Sequence, residues 1–169
     1  MKRVMIIGGS GSGKSTTARM LGAVTGLPVI HIDPMYWLPA WEQRPMEETH
    51  ALVRAAAKGE SWIFEGNNSS TFAERMERAD TLIFLDMPTY LRVWRVILRT
   101  IKDYGKVRVG SGEGCPERFN WEFLTKWVLQ YNTMGRPRVL QALENTPEHL
   151  DVHHLTSRRA VRQFLADAK

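Results

Sequence analysis

The chain has 169 residues, 43 % of them hydrophobic, which excludes a disordered segment and predicts one globular domain over residues 1–169. Lysine and arginine number 23 and acidic residues 18, so the formal charge is +5, a balance that suits a polyanionic ligand such as a nucleotide. No apolar run approaches the ~18 residues of a membrane span, the first apolar run is too short for a signal peptide, and the single cysteine, Cys115, excludes an internal disulfide. We therefore expect a cytoplasmic protein without a membrane partner.

The first predicted elements are an apolar strand at residues 4–7, a glycine-rich segment and a helix that ends before Gly26. The glycine-rich segment fits G-x-x-x-x-G-K-[ST], and this context predicts a phosphate-binding P-loop. We expect Lys14 to reach the β- and γ-phosphates and Ser15 to place its hydroxyl on Mg²⁺. The residues that we predict to bind the nucleotide here are Gly8, Gly9, Ser10, Gly11, Ser12, Gly13, Lys14, Ser15 and Thr16.

Short apolar runs alternate with helical stretches along the rest of the chain, which predicts a parallel sheet with helices on both faces. Four further strands are expected at residues 29–33, 62–65, 81–86 and 152–155. Helices are expected at about 46–58, 71–78, 89–104, from 121 to a stop at Gly135, 136–145, and after a cap at Ser157. Thr71 and Glu74 have the spacing of a capping box for the helix at 71–78. Residues 105–116 are rich in glycine and predict a mobile loop. We assign a lid region to about 103–136.

Three predicted strands end in a carboxylate: Asp33, Glu65 and Asp86. Ligands of a doubly wound sheet bind at the carboxyl ends of its strands, so these acids are expected near the transferred phosphate. We predict that Glu65 helps to hold Mg²⁺ and that Asp33 holds the acceptor or accepts its proton. A structural role in a turn or cap is the alternative for each acid, above all for Asp86.

A stripe of basic residues recurs at helical spacing on the predicted helix 89–104: Arg92, Arg95, Arg99 and Lys102. Arginine stabilises the charge of a transferring phosphoryl group, and a mobile lid can deliver it on closure. We therefore predict a catalytic role for the three arginines, and Arg136 is a further candidate for nucleotide binding. A solvated surface face is the alternative. The apolar positions of the same helix also have helical spacing: Leu91, Trp94, Leu98 and Ile101.

Two tryptophans follow Asp33 closely, Trp37 and Trp41. They can stack on a base or form a wall of the acceptor pocket, and the alternative is packing beneath a long loop. His31 lies in a predicted strand, and we expect it to be a packed strand residue rather than a ligand.

These motifs together resemble the P-loop nucleotide kinases of the adenylate kinase and shikimate kinase type over most of the chain. The chain is most similar to the adenylate kinase-related DNA topology modulation (FlaR-like) proteins. The stretches that carry this similarity are 31–33 with Trp37 and Trp41, 62–67, Arg75 with 79–80, 85–88, and 114–117 before 121–122.

The resemblance implies a three-layer α/β/α P-loop fold with a five-stranded parallel sheet of order 2-3-1-4-5 and a helical lid. It implies that Glu65 and Gly66 take the place of the Asp-Gly pair that assists Mg²⁺. The family's phenylalanine-proline-arginine is replaced here by residues 67–69, so the arginine for an AMP phosphate has no direct match. The acceptor-site candidates are Asp33, Trp37, Asn67 and Arg75, and the resemblance places Ser157 and Arg158 near the adenine.

The leading functional hypothesis is an ATP- and Mg²⁺-dependent phosphotransferase that moves the γ-phosphate of ATP to a small acceptor of the nucleotide or nucleoside kind. The alternative is a nucleotide-binding regulator that affects DNA topology and has weak ATPase activity. The sequence contains no helix-turn-helix or other DNA-reading motif, so we expect no direct nucleic-acid binding. Both a monomer and a homodimer remain open.

Overall fold

The computed structural model describes residues 1–168, in which five of seven strands form one parallel sheet. The strands are, in chain order, β1 (Arg3–Gly8), β2 (Val29–His31), β3 (Trp37–Leu38), β4 (Glu42–Gln43), β5 (Trp62–Glu65), β6 (Thr81–Leu85) and β7 (Asp151–Leu155). The sheet order is β2-β5-β1-β6-β7, and β3 and β4 form a separate antiparallel hairpin. Counted among the five sheet strands alone, this is the predicted order 2-3-1-4-5, which is confirmed.

Helices cover both faces of this sheet. They are α1 (Lys14–Thr25), α2 (Asp33–Tyr36), α3 (Met46–Ala57), α4 (Phe72–Met76), α5 (Thr89–Asp103), α6 (Tyr131–Glu144) and α7 (Arg158–Asp167), with a π-helical segment at Phe123–Leu129. Helix α1 ends at Gly26, which adopts a left-handed φ of 74°, as the sequence predicts. Within residues 1–168, none of these helices has the length and apolarity that crossing a membrane requires.

Alternate residues of the central strands supply two hydrophobic layers, one on each face of the sheet. Met5, Ile7 and Phe64 belong to the layer beneath α3, α4 and α6. Val4 and Ile6 belong to the layer beneath α1 and α7, and all of these side chains are fully buried. The sheet is therefore a packed platform that fixes where its carboxyl ends, and the residues that follow them, lie.

Three local expectations are wrong. The second strand ends at His31, and Asp33 lies in the first turn of α2, where the following proline is well tolerated. Thr71 does not cap α4, since its hydroxyl donates to the carbonyl of Asn68. Gly135 does not stop a helix, because α6 runs through it; a Cβ there would stand 2.5 Å from the ring of Tyr131, so this glycine allows close packing.

Candidate active site

The P-loop is folded tightly against β6 and α5, and its glycines are required for that fold. Gly8, Gly11 and Gly13 have φ values of 144°, 79° and 104°, which other residues rarely adopt. A Cβ at Gly8 would lie 2.5 Å from the carbonyl oxygen of Leu85, and one at Gly11 would lie 2.4 Å from that of Arg92. No side chain caps the start of α1 at Gly13. Its first-turn N–H groups are therefore available to an anion.

Lys14 crosses this loop, and its Nζ donates to the carbonyl of Gly9 at 3.2 Å. Its side chain is partly buried, and burial lowers the pKa of Lys14, while the nearby carboxylates of Glu65 and Asp33 oppose that shift. Its neighbours balance the positive charge of this ammonium group only in part. The group can therefore leave the carbonyl of Gly9 and donate to a phosphate oxygen instead.

A carboxylate and a hydroxyl meet at the mouth of the loop. Glu65, at the end of β5, is 5 % exposed, and its Oε1 accepts a hydrogen bond from the Ser15 hydroxyl at 3.0 Å. The Nδ1 of His31 donates to the same oxygen at 2.5 Å. Burial by itself would raise the pKa of Glu65, but the hydrogen bond from His31 and the charge of Lys14 outweigh it and lower that pKa. The group is therefore a carboxylate at neutral pH.

His31 lies in a strand, as expected, and its side chain is satisfied by the carboxylate of Glu65. In the parallel pairing of β2 with β5, His31 stands directly beside Glu65. The pair forms because of the register between the ends of two strands. No spacing of residues along the sequence predicts this contact. The signal that the sequence does contain is a histidine and a glutamate at the ends of two strands predicted to be neighbours.

Asp33 lies close enough to Lys14 and Glu65 to interact with both of their charges. It keeps more than a third of its surface accessible, yet protein atoms surround it densely, and burial, followed by repulsion from Glu65, raises the pKa of its carboxyl group. Lys14 and Arg108 act in the opposite direction. No hydrogen bond engages this carboxylate among residues 1–168. An accessible acid therefore stands near the P-loop lysine, where a bound molecule can engage it.

Two arginines of α5 support the P-loop from outside. Arg92 is fully buried, and its donors are taken by carbonyl and side-chain oxygens of Met87, Val128, Thr89 and Asn132. Arg95 donates to the carbonyls of Ser12 at 2.8 Å and Gly11 at 3.3 Å. The basic stripe is thus not a solvated face. In this structure the contacts of Arg92 and Arg95 hold the P-loop and the segments beside it.

A third arginine of α5 joins a cluster in the lid region. Arg99 and Arg108 both bind the carboxylate of Glu117, through contacts of 3.3 Å and 2.7 Å. Glu117 is 6 % exposed and also accepts the hydroxyl of Thr100 at 2.9 Å. Burial and then Arg108 lower the pKa of Arg99, and Arg99 is close enough to Lys14 to act on its pKa as well. Arg108 and Glu117 were missed by the sequence analysis, because a loop residue reveals its partners only once the loop is folded.

The glycine-rich loop, predicted to be mobile, lies on the β3–β4 hairpin in this structure. A Cβ at Gly110 would stand 2.7 Å from Nδ1 of His31, and one at Gly112 would stand 2.9 Å from the carbonyl of Trp37. The indole N–H of Trp41 donates to the carbonyl of Pro116 at 3.0 Å. The glycines therefore permit close approach between lid and hairpin. The two tryptophans also contact each other edge to face, with ring centroids 5.7 Å apart.

Two predicted acceptor-site residues organise backbone instead. Arg75 is fully buried between the rings of Phe64 and Phe72. Its guanidinium donates to three backbone carbonyls, those of Gly66, Asn68 and Thr71. Burial lowers the pKa of Arg75 to about 9. In this structure Arg75 therefore holds backbone carbonyls, and Asn67 accepts the backbone N–H of Gly8 at 3.3 Å.

The remaining predicted nucleotide-site residues lie around the start of α7 and on α6. Arg136 binds the carboxylate of Asp86 at 2.9 Å, and His154 donates to the same group, so that Asp86 ties β6 to α6 and β7. The hydroxyl of Ser157 accepts the N–H of Ala160 and caps α7. Arg158 is close enough to Arg95 to contribute, after burial, to the lowered pKa of Arg95. The start of α7 therefore lies beside the outer side of the P-loop.

No protein-family model matches this chain, and no curated protein matches it. Among solved structures, the chain is similar to shikimate kinase from Acinetobacter baumannii in complex with shikimate. The TM-score is 0.61, and the sequences are 13 % identical over 99 % of this chain and 90 % of that chain. At this identity the likeness concerns the fold alone, which is the P-loop kinase arrangement of a five-stranded parallel sheet between helices.

Proposed function

We propose that the protein is an ATP-dependent phosphotransferase that moves the γ-phosphate of ATP to a small acceptor. The observation that carries this proposal is the 3.0 Å hydrogen bond from Ser15 to Glu65 at the mouth of the P-loop. A P-loop motif by itself predicts phosphate binding. The buried carboxylate that accepts a hydrogen bond from the serine of the motif adds a second oxygen group, of the kind that holds Mg²⁺ in phosphoryl transfer.

The donor side of the site fits Mg²⁺ bound together with a nucleotide. Ser15 and Glu65 supply hard oxygen groups, and magnesium in such enzymes takes only one or two protein groups beside phosphates and water. The bound ion would neutralise negative charge on the β- and γ-phosphates. His31 holds the Glu65 carboxylate in its ionised form, and among residues 1–168 no cluster of three or more acidic, histidine or cysteine side chains forms a separate metal site.

The donor phosphates would bind to Lys14 and to the first-turn amides of α1. Arg99 and Arg108 lie on the lid side of the cleft, where Glu117 holds them together. Guanidinium groups in such a place stabilise charge on the transferring phosphoryl group. Ser157 and Arg158 lie at the start of α7, and we place the adenine beside them.

The acceptor would present a hydroxyl group to Asp33. This carboxylate is accessible and near Lys14, and its raised pKa suits a general base better than that of an ordinary aspartate. Because Arg75 is buried on backbone carbonyls, α4 offers no guanidinium to an acceptor phosphate. Trp37 would form one wall of the same pocket, where the glycine-rich loop closes on it.

The similarity to the DNA topology modulation proteins belongs to this proposal. It rests on the stretches 31–33 with Trp37 and Trp41, 62–67, Arg75 with 79–80, 85–88, and 114–117 before 121–122. Within residues 1–168 we find no feature that favours the alternative of a DNA-acting regulator over a phosphotransferase. Such a regulator would bind DNA with steep salt dependence and would release ADP without a small acceptor.

The proposal is tested by a screen for ADP release with ATP, Mg²⁺ and a panel of nucleosides, nucleotides and small hydroxylated metabolites. We expect release that depends on one class of hydroxylated acceptor and that falls in Glu65→Gln. The matched control is Glu74→Gln, because Glu74 also accepts a histidine Nδ1–H, that of His50, but lies away from the P-loop. ADP release that no acceptor raises, or equal loss in both variants, would contradict the proposal.

A further inference from the structure

Helix α5 buries polar side chains and exposes large apolar ones, which is the reverse of an ordinary surface helix. Its buried side carries Arg92, Val96 and Thr100. Its outer side carries large apolar residues that are all exposed, and the exposed Tyr104 follows directly after the helix. We call this set the α5 seam: Tyr90, Trp94, Ile97, Leu98, Ile101 and Tyr104. The exposed fraction is 76 % for Tyr90, 57 % for Trp94, 72 % for Ile101 and 66 % for Tyr104. An apolar stripe of this length on a surface is a site of interaction.

The helix cannot bury the α5 seam by rotating. Arg92 is anchored by hydrogen bonds to Val128 and Asn132, and Arg95 is anchored on the carbonyls of the P-loop. Rotation would break these charged hydrogen bonds and move the loop that binds phosphate. Any cover for the α5 seam therefore has to come from outside this chain's own fold.

We propose that the α5 seam is an interface with a second copy of this chain. Tyr90, Trp94, Ile97, Ile101 and Tyr104 are spaced by four, three, four and three residues, which is the alternating spacing of the apolar positions in a heptad repeat. Leu98 widens this stripe at its centre. A heptad spacing keeps one seam against another helix, and the same seam on a second copy is a partner of matching length and chemistry.

The exposed area is close to what such an interface needs. At the roughly 150–250 Å² that one aromatic side chain buries, the six partly exposed side chains present on the order of 600 Å². A monomer's largest apolar patch is about 300–600 Å², and a stable interface buries about 800 Å² per partner. The π-helical segment that packs beside α5 adds Trp127, which is 61 % exposed.

The charges around the α5 seam favour a protein partner over a lipid or a nucleic acid. A helix that binds an anionic membrane places lysine and arginine beside its apolar face, and a platform for single-stranded nucleic acid combines aromatic rings with cations. In the described helix α5, Lys102 is the only fully exposed charged residue. The arginines of α5 are held by Val128, by the P-loop carbonyls and by Glu117. Lys102 lies at the edge of the seam, one helical turn from Leu98, and the other edge positions, Leu91 and Val93, are uncharged. A single exposed lysine in α5 is fewer cations than a helix that binds a membrane or a nucleic acid presents, and this favours a protein partner.

The proposal is tested by light scattering and sedimentation of the full chain across a range of protein concentrations. We expect twice the chain mass for the wild type, and the single chain mass for Ile101→Lys at the same concentrations, with unchanged circular dichroism and melting temperature. Leu52→Lys is the matched control, since Leu52 is 41 % exposed on α3, outside the seam, and this variant should keep the dimer.

Three results would overturn the proposal. The first is a wild type that stays monomeric at every concentration tested. The second is a dimer that survives both Ile101→Lys and Trp94→Lys. The third is a monomer that sediments with vesicles of anionic phospholipid, or binds single-stranded DNA, and loses this binding in Ile101→Lys.

Discussion

At the scale of single residues, the site is a set of oxygen and nitrogen groups at the ends of neighbouring strands. Ser15, His31 and Glu65 are joined by two hydrogen bonds to one carboxylate oxygen. The motif predicts Ser15 and Lys14 because fixed spacing creates the phosphate cradle. It cannot predict His31, whose role arises from strand register, or the burial of Arg75, whose donors find partners only after the loop at 66–71 has folded.

Lys14→Ala is expected to abolish phosphoryl transfer and to leave the fold intact. The side chain contributes charge at the cleft, with one weak bond to Gly9, and P-loop charges change rates by orders of magnitude. The rate of ADP release is measured beside the melting temperature. Lys2→Ala removes an exposed lysine before the start of β1, at the opposite end of this strand from the loop, and serves as the control. A folded Lys14→Ala protein with turnover near that of the wild type would refute the assignment.

The raised pKa of Asp33 leads to a prediction of how turnover depends on pH. Since burial and Glu65 raise the pKa of Asp33, this carboxyl gains its proton at a higher pH than an ordinary aspartate does. If Asp33 accepts the acceptor's proton, kcat/KM falls as the pH decreases through that raised pKa. In Asp33→Asn, the remaining slow turnover should lack this acidic limb. An unchanged acidic limb in the variant would assign the titration to another group.

At the scale of elements, α5 packs against the P-loop, and the glycine-rich loop packs on the β3–β4 hairpin. The predicted helix 89–104 matches α5 closely, because caps and spacing are local signals. Which face is buried is not local, and α5 buries its arginines since the P-loop carbonyls and the π-helical segment accept them. The spacing of the apolar residues alone predicts the opposite orientation, with the apolar face of α5 buried and its arginines at the surface.

Glu117→Gln is expected to lower kcat by about tenfold and to raise the KM for ATP. Its carboxylate holds Arg99 and Arg108 together, and a neutral amide releases much of that attraction. Thr100→Val is the matched control, because it removes one hydrogen bond to Glu117 and leaves the two ion pairs in place. Equal kinetics of the wild type and Glu117→Gln would remove the lid arginines from the mechanism.

The lid itself should respond to nucleotide. We expect amide hydrogen exchange in residues 105–118 to slow when a non-hydrolysable ATP analogue is added, because phosphate charge near Arg99 and Arg108 favours the closed arrangement. Segment 46–57, which forms α3, serves as an internal reference. Unchanged exchange in 105–118 at saturating analogue would exclude a nucleotide-dependent lid.

At the scale of the whole molecule, the sheet determines the position of every group at its carboxyl edge. The alternation of apolar strands and helices predicts a parallel sheet, the family resemblance implies its order, and the structure confirms both. The acids Glu65 and Asp33 were predicted at this edge by the same topology. The lid contacts of Arg108 and Glu117 could not be predicted, because glycine composition indicates conformational freedom but not the surface that the loop contacts.

The most direct test of the central claim measures the rate of ADP release as a function of Mg²⁺ concentration in Glu65→Gln and Asp33→Asn. The slow transfer of phosphate to water is measured as well as transfer to the acceptor. Glu65 contacts Ser15 at the P-loop, whereas Asp33 has no such bond. We predict that Glu65→Gln raises the Mg²⁺ concentration for half-maximal rate with ATP affinity little changed, and that Asp33→Asn keeps the wild-type Mg²⁺ dependence and loses only acceptor-dependent turnover. A shifted Mg²⁺ dependence in Asp33→Asn with none in Glu65→Gln, or two variants indistinguishable from the wild type, would contradict the account.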